Sequence, residues 1–300
     1  MSWSFLSQIK CGSCGNDLEI VSYIPTNVTE YRDLDTRPVD EQWESLKTNL
    51  VKCCKNCGYC GENIESIDDD IRSFIVNDEY QNQLKNPVFP KSANEFICKG
   101  LILLERQFYL EAAWAYLHAA WCCDDEDKYI QSKYCRKKAV ELFASSCISG
   151  WNIFNNGGEV VCLLTDLYRR TENFEIAKQL AQVRLLLEKD EIVLKKLHYE
   201  IFLSTQQNIE AHKVENAITF YDDHVSYLDN EIMMEESEEE QDFEDEDEDD
   251  EEGYDNDFFN DEPDYERDTF DALTDGQYGD YDDYIEDGYT MDDLDDMIGR

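Results

Sequence analysis

The alternation of apolar and polar residues changes its period about a third of the way along the chain. Before that point, the segment 18–24 alternates as a β-strand does and ends at Pro25, and Leu50-Val51 forms a second short apolar segment. The stretch between them contains Pro38 and scattered aspartates without a clear period. The pattern predicts a small N-terminal β module that carries a long insertion.

From Ser92 onward the spacing of apolar residues is helical. Ser92-Ala-Asn-Glu95 has the spacing of a capping box, in which Ser and Glu side chains bond the first N–H groups of a helix. Further helices are predicted over 110–123, with a face of small residues, and over 129–147. Gly157-Gly158 then interrupts the helical pattern.

The region after this break predicts helices over 159–170 and 174–189, and then one polar helical run over 191–223. Five residues occupy the positions at which a tetratricopeptide repeat places the packing residues of its two helices: Leu164, Tyr168, Phe174, Ala177 and Ala181. Tyr109-Leu-Glu-Ala112 echoes Phe174-Glu-Ile-Ala177 nearly two repeat lengths earlier. The pattern indicates tetratricopeptide-like helical hairpins, although a single hairpin of this kind has the pattern of any amphipathic helix pair.

The negative charge of the chain is concentrated at its C-terminus. Residues 231–300 contain 34 Asp or Glu and two Arg, so they carry −32 of the net charge of −44 and leave −12 for residues 1–230. Because such a segment is poor in aliphatic residues and repels itself, we expect a disordered acidic tail. Aromatic residues recur along it. Its role is either to keep the protein soluble or to capture a basic protein partner.

Two cysteine pairs carry the clearest chemistry of the sequence. Cys11-Gly-Ser-Cys14-Gly and Cys54-Lys-Asn-Cys57-Gly each place two thiolates on one tight turn. Together, Cys11, Cys14, Cys54 and Cys57 supply the four sulfurs of a tetrahedral structural zinc site, which has no open position for a substrate. We therefore predict one structural Zn²⁺, with iron as the alternative ion.

The second pair can be assigned in two ways, because Cys57 and Cys60 also have this spacing and are followed by glycine. Cys54 and Cys57 are preferred, since that pair directly follows the predicted strand at Leu50-Val51. A redox-active dithiol is the rival interpretation of either pair. Neither pair begins a helix of a βαβ unit, which is the setting that lowers the pKa of a redox thiol.

These residues resemble those of an uncharacterised bacterial family, the proteins with domain of unknown function 2225. The resemblance covers about residues 5–190. It rests on the two cysteine pairs, on Arg32-Asp-Leu-Asp35 as the connecting segment, and on helical segments at 113–121 and 167–177. The resemblance implies zinc knuckles followed by tetratricopeptide-like helices, and it implies no activity. Cys60 and the acidic tail depart from the family pattern.

Sequence motifs of the common enzyme classes are absent. The chain contains no GxxxxGK[ST], GxGxxG, HExxH or GxSxG motif, and its four histidines occur singly. The net charge disfavours binding to nucleic acid, since phosphates would be repelled. The densest basic group is interpreted as a solvated helix face: Lys133, Arg136, Lys137 and Lys138.

The remaining features favour a cytoplasmic protein. The N-terminus has neither a basic leader nor an apolar segment, and no stretch is long enough to span a membrane. Six cysteines lie within apolar helical patterns and are expected to be reduced and buried: Cys98, Cys122, Cys123, Cys135, Cys147 and Cys162.

The sequence thus predicts an α+β protein that is mostly α. We expect a zinc-ribbon-like module over 1–75, a linker over 76–91, helical hairpins over 92–223 and a disordered acidic tail over 224–300. The predicted function is that of a non-enzymatic, zinc-binding adaptor whose helices and tail bind proteins. The alternative is a thiol-based redox or metal-responsive regulator that uses Cys53 and Cys60, and a nucleic-acid-associated zinc-ribbon protein ranks below both.

Overall fold

Two β-hairpins begin the fold. In the computed structural model, which describes residues 3–24, 32–38, 41–148 and 157–224, β1 (Trp3–Lys10) pairs antiparallel with β2 (Asp17–Ile24). The predicted strand at 18–24 is thereby confirmed. The second hairpin pairs β3 (Lys52–Cys53) with β4 (Cys60–Gly61). Each hairpin turn contains one of the cysteine pairs.

A helix occupies part of the insertion between the hairpins. This helix, α1, spans Glu41–Leu50, so Leu50 ends a helix and the predicted strand at Leu50-Val51 is wrong. The reason lies in tertiary packing, because Trp43 of α1 is buried. Its ring lies 6.1 Å from that of Phe96 and 5.0 Å from that of Trp121. Trp43 thereby anchors the insertion to the helical part of the protein.

Two short helices, α2 (Asp69–Phe74) and α3 (Asp78–Leu84), follow the second hairpin. Since α3 lies within 76–91, that range is not the linker that the sequence predicts. The side chain of Asn77 caps α3 by accepting a hydrogen bond from the backbone N–H of Tyr80, and Tyr80 is fully buried. A buried aromatic residue ties this segment to the core.

Seven longer helices complete the described fold: α4 (Lys91–Glu105), α5 (Tyr109–Asp124), α6 (Tyr129–Ile148), α7 (Gly158–Arg170), α8 (Phe174–Leu185), α9 (Glu191–Thr205) and α10 (Val214–His224). The predicted α+β class with mostly helical content is confirmed. Of the five repeat positions, Leu164, Ala177 and Ala181 are buried, whereas Tyr168 and Phe174 are half-buried.

Four helix ends share one turn geometry. A non-glycine residue adopts a positive φ after α4, α5, α7 and α9: Gln107, Asp127, Glu172 and Gln207. In each case the next backbone N–H bonds the carbonyl five residues earlier, as in a Schellman cap, with N···O distances of 2.9 Å. Gln107 and Glu172 are separated by the same 65 positions as the sequence echo. The repeated cap therefore agrees with a helical-hairpin array.

Three boundaries in the helical part differ from the sequence prediction. The first helix begins at Lys91 with Pro90 as its N-cap, so Ser92 lies inside the first turn and the capping box is wrong. Helix α8 ends at Leu185 rather than at 189. The polar run over 191–223 is two helices, α9 and α10, because residues 206–213 leave the helix to contact the connecting segment at 32–38.

One hydrophobic cluster joins the cysteine turns to the helices. It contains Cys11 and Cys54 together with Phe96 of α4, Leu117 of α5 and Leu167 of α7. The described residues also belong to one compact unit that spans 1–239. The predicted disordered acidic tail lies outside the described residues, except for His224, which ends α10.

Candidate metal centre

The two cysteine turns have the same backbone geometry. In each turn the glycine that follows the second cysteine has a positive φ, 72° at Gly15 and 79° at Gly58. Its N–H bonds the carbonyl of the first cysteine, at 2.7 Å for Gly15 to Cys11 and 2.8 Å for Gly58 to Cys54. Glycine adopts such angles without a steric cost. The CxxCG pattern thus builds two equivalent turns that each aim two thiols to one side.

The two turns face each other and bring four sulfurs together. The Sγ atoms of Cys11 and Cys57 are 3.7 Å apart, as are those of Cys14 and Cys54, and all four lie within 4.8 Å of one another. A Zn–S bond of about 2.3 Å implies tetrahedral S···S edges of about 3.8 Å. A disulfide requires about 2.05 Å. The spacing therefore matches four ligands around one ion.

Backbone packing holds the first turn against the segment that follows the second. The N–H of Gly12 bonds the carbonyl of Ile64 at 2.8 Å, and a Cβ atom at Gly12 would lie only 2.5 Å from the Glu65 carbonyl oxygen. Arg72 of α2 also donates to the carbonyl of Ser13 at 2.7 Å. Glycine at position 12 is thus required by a close approach of two backbone segments.

Helix α3 holds the second turn. Gln81 donates to the carbonyl of Cys57 at 3.1 Å, and the Tyr80 hydroxyl donates to the carbonyl of Gly58 at 2.9 Å. Neither residue belongs to a sequence motif, because their role depends on this contact between distant segments. The local signal was Asn77, a favourable N-cap residue in front of Tyr80. Helix α3, which lies in the range predicted as a linker, therefore positions the turn that carries two of the candidate ligands.

The thiols differ in their affinity for protons. Burial raises the pKa of Cys57 to about 12 and also raises the pKa of Cys11. At Cys14 burial acts in the same direction, but hydrogen bonds from Asn56, from the Asn16 backbone and from Cys54 outweigh it and lower the pKa to about 6. Since thiolates bind metal ions, binding of an ion would release the protons that Cys57 and Cys11 hold.

Cys60 lies outside this cluster. Its thiol is fully buried and donates to the carbonyl of Gly58 at 3.3 Å. The structure therefore brings Cys54, rather than Cys60, next to Cys11, Cys14 and Cys57. Five of the six helical cysteines are buried as predicted: Cys98, Cys122, Cys123, Cys135 and Cys162. The side chain of the sixth, Cys147, lies outside the described residues.

The basic group on α6 is not a solvated face at Arg136. This side chain is 2% exposed and donates to Asp35 at 3.0 Å and to Asp124 at 2.7 Å. Arg170 of α7 contacts the same two carboxylates, at 2.8 Å and 3.1 Å. Asp35 belongs to the connecting segment between the cysteine turns. The ion network therefore ties that segment to α5, α6 and α7.

The four thiols are the one cluster of three or more potential ligands that the described ranges bring within bonding distance of a common ion. No family model matches this chain, and neither a curated protein nor a solved structure is significantly similar to it. The resemblance to the family with domain of unknown function 2225 therefore stays a prediction. Across the described part of the chain, none of the helices is long and apolar enough to cross a membrane.

Proposed function

We propose that the protein is a zinc-binding adaptor without catalytic activity, which binds other proteins through its helices and its acidic tail. Four thiolates complete a tetrahedral shell, which leaves no position for water or substrate. The role of the ion is then to stabilise the fold, because it joins two turns whose first cysteines, Cys11 and Cys54, lie in the main hydrophobic cluster. A site of four thiolates prefers zinc to cations such as Mg²⁺ and Ca²⁺, which prefer oxygen ligands. Iron is the alternative ion.

The observation that carries the adaptor proposal is an exposed apolar surface at the C-terminal end of α8. Ile176 and Val183 of α8 are 46% and 54% exposed, and Leu186 and Leu187, which directly follow the helix, are 85% and 69% exposed. Ile176 and Val183 are seven positions apart in α8, so they share one side of the helix, and Leu186 and Leu187 follow directly after α8 ends at Leu185. We name Ile176, Val183, Leu186 and Leu187 the α8 stripe. Exposed apolar side chains grouped at one end of a helix favour a protein partner with an apolar helix.

The acidic tail supplies a second mode of contact. Residues 231–300 carry a charge of −32, which attracts basic proteins over a distance set by salt. The screening length falls from about 10 Å at 0.1 M salt to about 3 Å at 1 M. Binding through the tail should therefore weaken strongly with salt, whereas binding through the α8 stripe should not.

The test compares proteins recovered from the source cells by three tagged full-length chains. One is the wild type, one carries Val183→Glu and Leu187→Glu, and one carries Val76→Glu and Val88→Glu. The last pair is the matched control, because Val76 and Val88 are 67% and 54% exposed but do not belong to the α8 stripe. Each enriched protein is then purified and its affinity for the three chains is measured at both salt levels.

A partner that binds the wild type and the control pair equally, and the α8 pair at least about tenfold more weakly, supports the proposal. If every enriched protein binds the two double variants alike and keeps its affinity at the higher salt level, or if none is enriched over the tag alone, the adaptor function is wrong. A circular dichroism spectrum of each variant verifies that the helices are intact.

A further inference from the structure

Cys53 and Cys60 occupy directly opposite positions on β3 and β4. The hydrogen bond from the Cys54 N–H to the Tyr59 carbonyl, 2.9 Å, lies one position beyond this pair, so Cys53 and Cys60 form a non-hydrogen-bonded pair. The Cα atoms of such pairs are about 4.5 Å apart and their side chains lie on the same face. Disulfides require Cα distances of about 4.4–6.8 Å. The pair therefore meets the backbone requirement for a disulfide.

The two thiols converge on the same acceptor. The Sγ atoms of Cys53 and Cys60 lie 3.6 Å and 3.3 Å from the carbonyl oxygen of Gly58. The Cys60 thiol also interacts directly with that of Cys53. Neither sulfur belongs to the cluster of four candidate ligands. A reaction between them would consume no metal ligand.

The pair is also asymmetric in its access to solvent. Cys53 is half-buried, whereas Cys60 is fully buried. Of these two sulfurs, a small oxidant such as hydrogen peroxide therefore reaches that of Cys53 before that of Cys60. The buried thiol of Cys60 then lies next to the oxidised sulfur and is positioned to resolve it. Accessible thiols with a resolving partner are the usual sites of reversible oxidation.

We propose that Cys53 and Cys60 form a reversible disulfide across β3 and β4 on exposure to hydrogen peroxide, while the four cluster cysteines retain their metal. Peroxide converts the Cys53 thiol to a sulfenic acid and releases one water. The Cys60 thiol attacks that sulfur, the S–O bond breaks, a disulfide forms and a second water leaves. A dithiol reductant returns both thiols and is itself oxidised to a disulfide.

This modification acts on the second cysteine turn. The disulfide closes the loop 53–60, which contains Cys54 and Cys57, and replaces the two thiol contacts to the Gly58 carbonyl. The bond from the Tyr80 hydroxyl to that carbonyl remains. The oxidised turn is cross-linked next to its two ligands. The inference goes beyond the adaptor function and adds a redox-sensitive element beside the metal centre.

A rival partner for Cys60 is Cys98 of α4, whose thiol also interacts with that of Cys60. Cys98 is fully buried and lies on a helix rather than on the paired strand. Peroxide therefore has no exposed sulfur at which to start that alternative reaction. A Cys60–Cys98 link is the outcome that the experiment must distinguish.

The experiment treats the metal-loaded full-length protein with graded hydrogen peroxide. Free thiols are blocked with a light alkylating reagent, disulfides are reduced, and the newly released thiols are blocked with a heavy reagent. Trypsin cleaves after Lys52, Lys55 and Arg72, so Cys53 and Cys60 fall on different peptides, and fragmentation spectra locate the heavy label. Metal content is measured in parallel by elemental analysis. The variants are Cys53→Ser, Cys60→Ser, Cys98→Ser and, as a control, Cys122→Ser.

The expected result is heavy label on Cys53 and Cys60 with a loss of about 2 Da per chain before reduction. Metal content should stay unchanged at the peroxide dose that forms the link. Cys53→Ser and Cys60→Ser should each abolish the link, and Cys98→Ser and Cys122→Ser should not. Heavy label on Cys98, or loss of metal in step with loss of thiols, would overturn the proposal. Cys53→Ser keeps the test decisive if Cys60→Ser fails to fold, because Cys53 is partly exposed.

Discussion

The Asp35 carboxylate accepts a hydrogen bond from the Arg136 guanidinium at 3.0 Å, although 101 positions separate the two residues. The same oxygen, Oδ2, accepts from Trp121 Nε1 at 2.9 Å and from Arg170 at 2.8 Å. The Asp35 side chain is completely buried. One carboxylate in the connecting segment therefore binds three helices and fixes how the N-terminal part of the fold meets the helical part.

The first prediction concerns this carboxylate. Asp35→Ala removes the acceptor of three buried donors and leaves Arg136 and Arg170 with Asp124 as their remaining carboxylate. Breaking a buried ion pair by removing one partner costs about 3–5 kcal/mol. We expect the free energy of unfolding, measured by denaturant titration with circular dichroism, to fall by that amount.

The control for this variant is Asp69→Ala. Asp69 is fully exposed and lies 3.7 Å from Arg72, so its removal should leave the free energy of unfolding almost unchanged. Equal stability of the Asp35 and Asp69 variants would contradict the role of Asp35 in joining the helices.

The second prediction is an acid-dependent loss of stability. Burial raises the pKa of Asp124, but Arg136 and Arg170 outweigh it and lower the pKa from 3.8 to about 2. A depressed carboxyl pKa stabilises the fold above the unfolded value, and this contribution is lost as the pH falls from about 4 to about 2. The pKa shift corresponds to about 2 kcal/mol.

Asp35 acts in the same direction, because Arg170 and Arg136 outweigh its burial and lower its pKa. The measurement is denaturant titration of the wild type and of Asp124→Asn at several pH values between about 5 and about 2. The stability gap between the two proteins should close as the pH falls. A gap that stays constant over this range would show that Asp124 has an ordinary pKa in the folded protein.

The third prediction has the opposite sign. Burial, together with the neighbouring Asp166, raises the pKa of Glu200 from 4.5 to about 8, in spite of its bond with Arg169. The folded protein therefore holds a proton that the unfolded chain releases. Stability should fall as the pH rises from about 5 to about 8.

Glu200→Gln keeps a neutral group of similar size at this position, so it should remove this dependence on pH. Melting temperatures across the range provide the measurement. Glu191→Gln is the control, because Glu191 is 78% exposed and should leave the dependence unchanged. The same slope in the Glu200 variant as in the wild type would show that Glu200 is ionised in the folded state.

The fourth prediction concerns metal removal. We expect one zinc ion per chain, with metal lost in Cys54→Ser and kept in Cys60→Ser, because only Cys54 lies in the sulfur cluster. Elemental analysis and native mass spectrometry measure the occupancy. The reverse pattern in these two variants would mean that Cys60 is the ligand.

Chelation should also affect the helices. One hydrophobic cluster contains both Cys11 of the first cysteine turn and Phe96 of α4. Removal of the ion should therefore lower the melting temperature of the whole described unit. An unchanged helical signal and melting temperature after chelation would show that the helices are independent of the metal.

The parts of the fold that the sequence predicts correctly are those that depend on the spacing of nearby residues. The CxxCG turns, the strand at 18–24 and the helices α5 to α7 were found because each depends on residues close in sequence. Spacing along a turn or a helix repeats with a fixed period, so a single chain reveals it. Helix α3 was not predicted, because its features are a single N-cap residue, Asn77, and the burial of Tyr80 against the second cysteine turn. The burial depends on a contact that the local sequence does not reveal.

By itself, the sequence determined that this protein has two CxxCG turns with the spacing of metal ligands, a mostly helical body and a separate region of high negative charge. Tertiary structure alone decided that Cys54 rather than Cys60 joins the cluster, that Arg136 is buried and that residues 206–213 separate two helices. These outcomes depend on contacts between distant residues, such as Asp35 with Arg136. Burial then reverses what residue type suggests, because a charged side chain is stable inside a protein only where a distant partner compensates for the loss of water.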